Sequence, residues 1–242
     1  MSKINVDTWE PESGTAATLM ASGDTVTVPS GATIVNSGTA TGFGGFNKWT
    51  PVTATDTTFD LQSGTTRLII EVQAAGGHGG SSDSGTRTGG GGGGGAYAKK
   101  LLTSMVDTDT LNITIGAAAG VAASGTTTSV ASASGTSFTT ITCTGGAGGT
   151  TAAGSYPASG AGGAAPTTGD LNIAGNDSPR TDHSQEPVPG GDSMFGWGGR
   201  SPSSMTVAAA GSGYGSGGQG GRGASNAGAA GAAGIVMIWE YK

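Results

Sequence analysis

The side chains able to do directional chemistry are few, and one stretch gathers charge, proline and aromatics together. Residues 175–205 read GNDSPRTDHSQEPVPGGDSMFGWGGRSPSSM. Asp177, Arg180, Asp182, His183 and Arg200 offer charged and polar contacts there, while Phe195 and Trp197 offer flat apolar faces able to stack on a sugar or a lipid. Prolines at 179, 187 and 189 stiffen the stretch, which lowers the entropy lost when a partner binds. Tyr156, in the preceding loop, is a lesser candidate of the same kind. The chemistry on offer is recognition by a loop held on a rigid base. The plainer alternative is a solvated, proline-stiffened loop in which Phe195 and Trp197 only cover the glycine layer.

Catalytic constellations are missing. His78 and His183 have no cysteine or carboxylate at zinc-ligand spacing. Asp107 and Asp109 sit in a Thr/Asp turn before a strand, which is ordinary turn chemistry. No carboxylate pair stands out for glycoside hydrolysis. GxGxxG-type matches are frequent, but a chain this rich in glycine produces them by chance, and a dinucleotide site also needs a helix after the turn. No glycine block ends in Gly-Lys-Ser/Thr, and none carries the aspartate of a calcium-binding nonapeptide. The expectation is a non-enzymatic protein with no cofactor and no metal.

What must hold such a loop is glycine. There are 50 glycines in 242 residues, gathered in blocks at 76–95, 145–163, 190–199 and 211–234. Glycine often returns every third residue, as at Gly217, Gly220 and Gly223 and, after a slip, at Gly228, Gly231 and Gly234. Period three is the repeat of a polyproline-II-type helix, which has no internal hydrogen bonds. A glycine side of such a helix lets a neighbouring backbone approach, so that stacked segments satisfy each other's N–H and C=O groups.

Between the blocks lie short alternating runs. Strands are expected at 53–61, 67–74, 96–102, 111–115, 138–143 and 235–241. In 67–74 the alternation sets Leu68, Ile70, Val72 and Ala74 on one face and Arg67, Glu71 and Gln73 on the other. No stretch has helical periodicity. The fold expected is all-β: a small antiparallel β-sandwich over 51–242, with polyglycine II-like loops, behind a short trimeric β-strand shaft at 1–50. In that first part, 24–28 and 32–36 read as strands too short to bury anything without identical partners, hence a homotrimer. Residues 42–51, with GFGGFNKW and Thr50-Pro51, read as a junction.

Charged residues make up 11%, under half the usual share of about 25%. Ten Lys plus Arg against sixteen Asp plus Glu, a net charge of −6, leave no electrostatic footprint for nucleic acid. No apolar run approaches the ~20 residues of a membrane span. The start has no apolar signal region, and the single Cys143 excludes an internal disulfide framework. Its expected role is that of a small buried strand residue. A Gly/Ser/Thr/Ala surface suits work outside cells, yet neither export signal nor disulfide is present. A virion component, folded in a host cytoplasm and released by lysis, fits both.

GTTRLIIEVQAAGGHGGSSDSG, the run GGGGGGGAYAKKLL, LNITIGAAAG and the closing GAAGAAGIVMIWEY occur in that order. This succession resembles the glycine-rich domain of tailed-phage tail fibres, over roughly residues 53–241. The N-terminal DTVTVPSGATIVNSGTATGFG is similar to short pieces of phage fibre shafts. The resemblance implies a virion fibre joined to other tail proteins through residues 1–50, whose glycine-rich end contacts a polysaccharide or outer-membrane protein on the host. Adhesins of this kind stack polyglycine II helices and carry variable loops at one end. A capsid-surface fibre and a non-viral glycine-rich ice-binding protein are the alternatives.

Overall fold

A computed structural model of the chain describes residues 45–83, 87–118, 120–151, 158–180, 186–201, 207–223 and 225–242. The strands expected at 24–28 and 32–36, on which the expected trimer rests, lie outside them.

Eleven strands, and no helix among the described residues, make the protein all-β. They are β1 (Phe46–Val52), β2 (Asp56–Asp60), β3 (Arg67–Gln73), β4 (Tyr97–Thr103), β5 (Thr110–Thr114), β6 (Thr128–Ser134), β7 (Ile141–Cys143), β8 (Leu171–Ile173), β9 (Phe195–Trp197), β10 (Ser212–Tyr214) and β11 (Ile235–Tyr241). A five-stranded sheet has the order β1-β11-β3-β4-β8, a four-stranded one β2-β5-β6-β7, and β9 and β10 form a separate pair. Every pairing is antiparallel.

The alternating runs build the core. Leu68, Ile70 and Val72 of β3, with Val236 and Ile238 of β11, pack against Leu111 and Ile113 of β5, Val130 of β6 and Ile141 of β7. Each such side chain, fully buried, contributes about 1.5–3 kcal/mol. Cys143 is one of this set: its thiol donates to the Val72 carbonyl at 3.4 Å, and burial pushes its pKa up to about 12. The sandwich of small sheets is what alternation leads one to expect. Two details differ. β1 starts at Phe46 and runs through Pro51, so part of the expected junction is sheet; proline fits because β1 is an edge strand. Gln73, expected on the polar face, is wholly buried, and its Nε2 donates to the Gly95 and Ala96 carbonyls at 2.9 and 3.1 Å.

Gln73 marks the point where sheet gives way to something else. Beyond it the glycine blocks run as extended segments, paired to one another by backbone hydrogen bonds three residues apart. The seven-glycine run is their centre. Gly89, Gly92 and Gly95 donate to Gly221, Gly218 and Gly215; Gly90, Gly93 and Ala96 donate to Thr150, Ala147 and Thr144; Gly94 donates to Asn176. The carbonyls accept in the same rhythm. Gly90, Gly93 and Ala96 accept from Gly80, Gly77 and Ala74, Gly91 and Gly94 from Gly160 and Gly163, and Gly92 from Gly191. Six segments thus surround one, as in a hexagonal lattice of polyglycine II helices.

Glycine is required here for space. A β-carbon on Gly92 would lie 2.1 Å from the Gly77 carbonyl oxygen, and one on Gly93 2.0 Å from that of Ala161. Segments at the rim need fewer glycines. In Gly217-Gly218-Gln219, Gly217 faces the Gly92 carbonyl and Gly218 that of Ala229, while the third position carries a side chain. Gly223 departs from the expected series: with φ of +85° it makes a turn instead of continuing the row.

Candidate functional site

The lattice has two ends, and the chemistry-bearing residues divide between them. At one end the segments join the sheets, as 88–96 does at β4. At the other, Gly80 donates to Gly90, Gly90 to Thr150, Thr150 to Ala158, and Gly221 to Gly80. Just beyond this ring of contacts lie the ends of the connections 81–88, 151–157 and 222–227. The Ser159 hydroxyl donates to the Pro179 carbonyl at 3.0 Å, and the Gly220 N–H to Val188, which brings the flanks of 180–187 to the same end. Gly90 precedes Tyr97 by seven residues, so at ~3.1 Å per residue this far end stands roughly 20 Å from the sheet.

Residues 175–205, expected as one recognition loop, are therefore not one loop. They run out along the lattice, return, form β9 beside the sheet, and set out again. Tyr156, Asp182 and His183 lie outside the described residues. Asp177 belongs to the far half, where its Oδ1 accepts the Gly162 N–H at 2.8 Å; its carboxylate serves the lattice. Arg180 is exposed beside a groove of about 250 Å³ that Ser159, Asp177 and Ser178 also line. Ser178 itself is buried and bridges to the Pro189 carbonyl at 2.7 Å.

Phe195, Trp197 and Arg200 belong to the sheet half. Phe195 packs edge-on against Tyr97 of β4, centroids 5.5 Å apart, so it lies against the sheet and not on the glycine layer. Tyr97 is buried, and its phenol is pushed above the ordinary tyrosine range by that burial and by the neighbouring Glu71 carboxylate. Glu71 in turn pairs with Lys99 at 3.0 Å. Trp197 is different, with 71% of its surface exposed. Grooves of about 380 and 500 Å³ flank it, one reaching Arg200 and Ser212, the other Asp192 and Met194. Arg200 grips Asp192 through both carboxylate oxygens, at 3.1 and 3.0 Å, and Asp192 also takes the Gly198 N–H at 2.7 Å. Asp192 escaped the sequence reading; an acid and a base flanking Phe195–Trp197 were the available signal.

His78, the one described histidine, is buried in the lattice with Nδ1 at 2.6 Å from the Gly79 carbonyl. Among the described residues no group of three His, Cys, Asp or Glu is placed to hold a metal ion. The sequence matches, over residues 50–241, the model of a family described as a glycine-rich domain. The chain belongs to that family. No curated protein matches it. The matched region of this glycine-rich domain begins inside β1 and ends at the last residue of β11, so it takes in both sheets and the whole lattice.

Proposed function

We propose that this glycine-rich domain protein is a structural fibre of a phage virion, a tail fibre, that binds a bacterial surface receptor through the connections at the far end of its lattice. Residues 1–50 join it to other virion proteins. One observation carries the reading. A lattice in which backbones touch carries mainly Ala, Ser and Thr on its exposed rim, while the described ends of the connections that link its segments gather at the end remote from both sheets. Side chains able to read a surface, Arg180 and the Asp83–Arg87 ion pair at 3.2 Å among them, stand on those connections. The lattice then serves as a rigid base for a chemically varied end. Aromatic and arginine side chains are the usual anchors of such contacts, which points to Arg180 on the receptor side.

Cell binding tests it. The fluorescently labelled full chain, incubated with a panel of bacterial strains, should bind some and not others, and should block adsorption of the phage that carries it. Replacing 152–157 and 181–185 with Gly/Ser sequence of equal length should abolish binding at an unchanged melting temperature. Binding lost only in Trp197→Ala, with the far-end replacement still active, rejects the far-end assignment in favour of the sheet end. Binding to no strain rejects the receptor role.

A further inference from the structure

We propose that a second copy of this chain docks, about a two-fold axis, on the outer face of the β1-β11-β3-β4-β8 sheet. Alternation decides which residues line that face. Leu68, Ile70 and Ile238 point into the core and are fully buried, so their neighbours along the strands point outward. Register then sets Trp49, Trp239, Ile69 and Leu101 opposite one another in a single row across four strands. Trp49 and Trp239 lie 5.7 Å apart, and Phe46 packs edge-on against Tyr241 at 5.9 Å in the next row. On the other side of the central row, Pro51 and Met237 continue through Glu71 and Lys99 to Leu171.

Among the described residues, one end of this face is covered, where Phe195 lies on Tyr97. The rest is open: Phe46 is 59%, Trp49 47%, Leu101 51% and Leu171 48% exposed. Large side chains of this kind present roughly 150–250 Å² each. Four that are half exposed, with the partly exposed Ile69, Met237, Trp239 and Tyr241, leave about 500 Å² of apolar surface in water. Interfaces are about 60% apolar, so that area corresponds to ~800 Å² in all, the size each partner contributes to a stable complex.

The face is also shaped for its own copy. Its β1 and β11 side is thick with aromatic rings, and its β3, β4 and β8 side carries the thinner Ile69, Leu101 and Leu171. A two-fold rotation lays the aromatic end of each copy over the aliphatic end of the other, which levels the gap between two stacked sheets. Charge does not oppose it. The Glu71 and Lys99 charges within the face are paired at 3.0 Å, and Arg67 stands at its border, so two copies meet without like charges at the centre. The inference does not rest on the proposed virion role, and it competes with the homotrimer expected of residues 1–50.

Sedimentation equilibrium of the full chain tests it. At about 100 µM the wild type should weigh twice its 23.0 kDa chain mass, with little response to added salt. Leu101→Glu and Trp49→Glu should each weaken association at least tenfold. Met194→Glu, exposed on the approach to β9 and outside the face, should leave the dimer intact. Leu101→Glu is a substitution at an already exposed site, so a thermal melt near that of the wild type should accompany its loss of mass. A wild type that stays monomeric, leaving the face to another protein, overturns the proposal. So does a trimeric mass, or a dimer that both glutamate variants retain.

Discussion

Gly220 and the Gly89 carbonyl are in such close contact that a β-carbon on Gly220 would lie 1.9 Å from the Gly89 oxygen. No side chain can flex away there, because both partners are backbone. Gly220→Ala should therefore destabilise by about 3 kcal/mol, the upper end of overpacking costs. Gly120 has nothing within 4 Å of the same position, so Gly120→Ala should be close to neutral. Urea titration of both variants checks the pair. Equal midpoints would mean that the lattice does not hold Gly220 against residues 88–96.

Gln219, at the third position of a Gly-Gly-X triplet, looks tolerant in the sequence but is buried. Its Oε1 accepts the Ala209 N–H at 2.9 Å and the Ser201 hydroxyl at 2.7 Å. Gln219→Ala leaves the part-buried Ala209 N–H without its partner, which costs about 1 kcal/mol. Arg222, one triplet on, is partly exposed, and Arg222→Ala should cost less than about 0.5 kcal/mol. Differential denaturant midpoints measure the contrast.

Asp109 should make the fold acid-sensitive. Burial works against its charge, but the Val106 and Thr136 N–H groups, both at 2.9 Å, win and lower its pKa below the ordinary aspartate value. A depressed folded pKa contributes stability that is present above the unfolded value, about 3.9, and is lost as pH falls through the folded one. The melting temperature of the wild type should drop more steeply below about pH 4 than that of Asp109→Asn. Parallel slopes for the two proteins would show that this carboxylate carries no such linkage.

The strands of the core were legible because burial on one face imposes a period of two. Leu68, Ile70 and Val72, and the whole of β11, could be assigned from that rhythm alone. β8, β9 and β10 were not, since each has three residues and no room for a rhythm. β6 reads TSVASAS and buries Val130 among small side chains, too faint an alternation to see. Glycine spacing announced that backbones would touch, and the uninterrupted run 89–95 could have been read further, since only a segment enclosed on every side needs glycine at every position. Which segments would enclose it was beyond sequence. Backbone donors and acceptors are identical along such a chain, so register comes from where the sheets deliver each segment and how far each connection reaches. The candidate site shows the same division. Residue types marked Asp177, Arg180, Trp197 and Arg200 as contact-makers, while the path of the chain, out, back and out again, set Arg180 at one end of the lattice and Trp197 at the other.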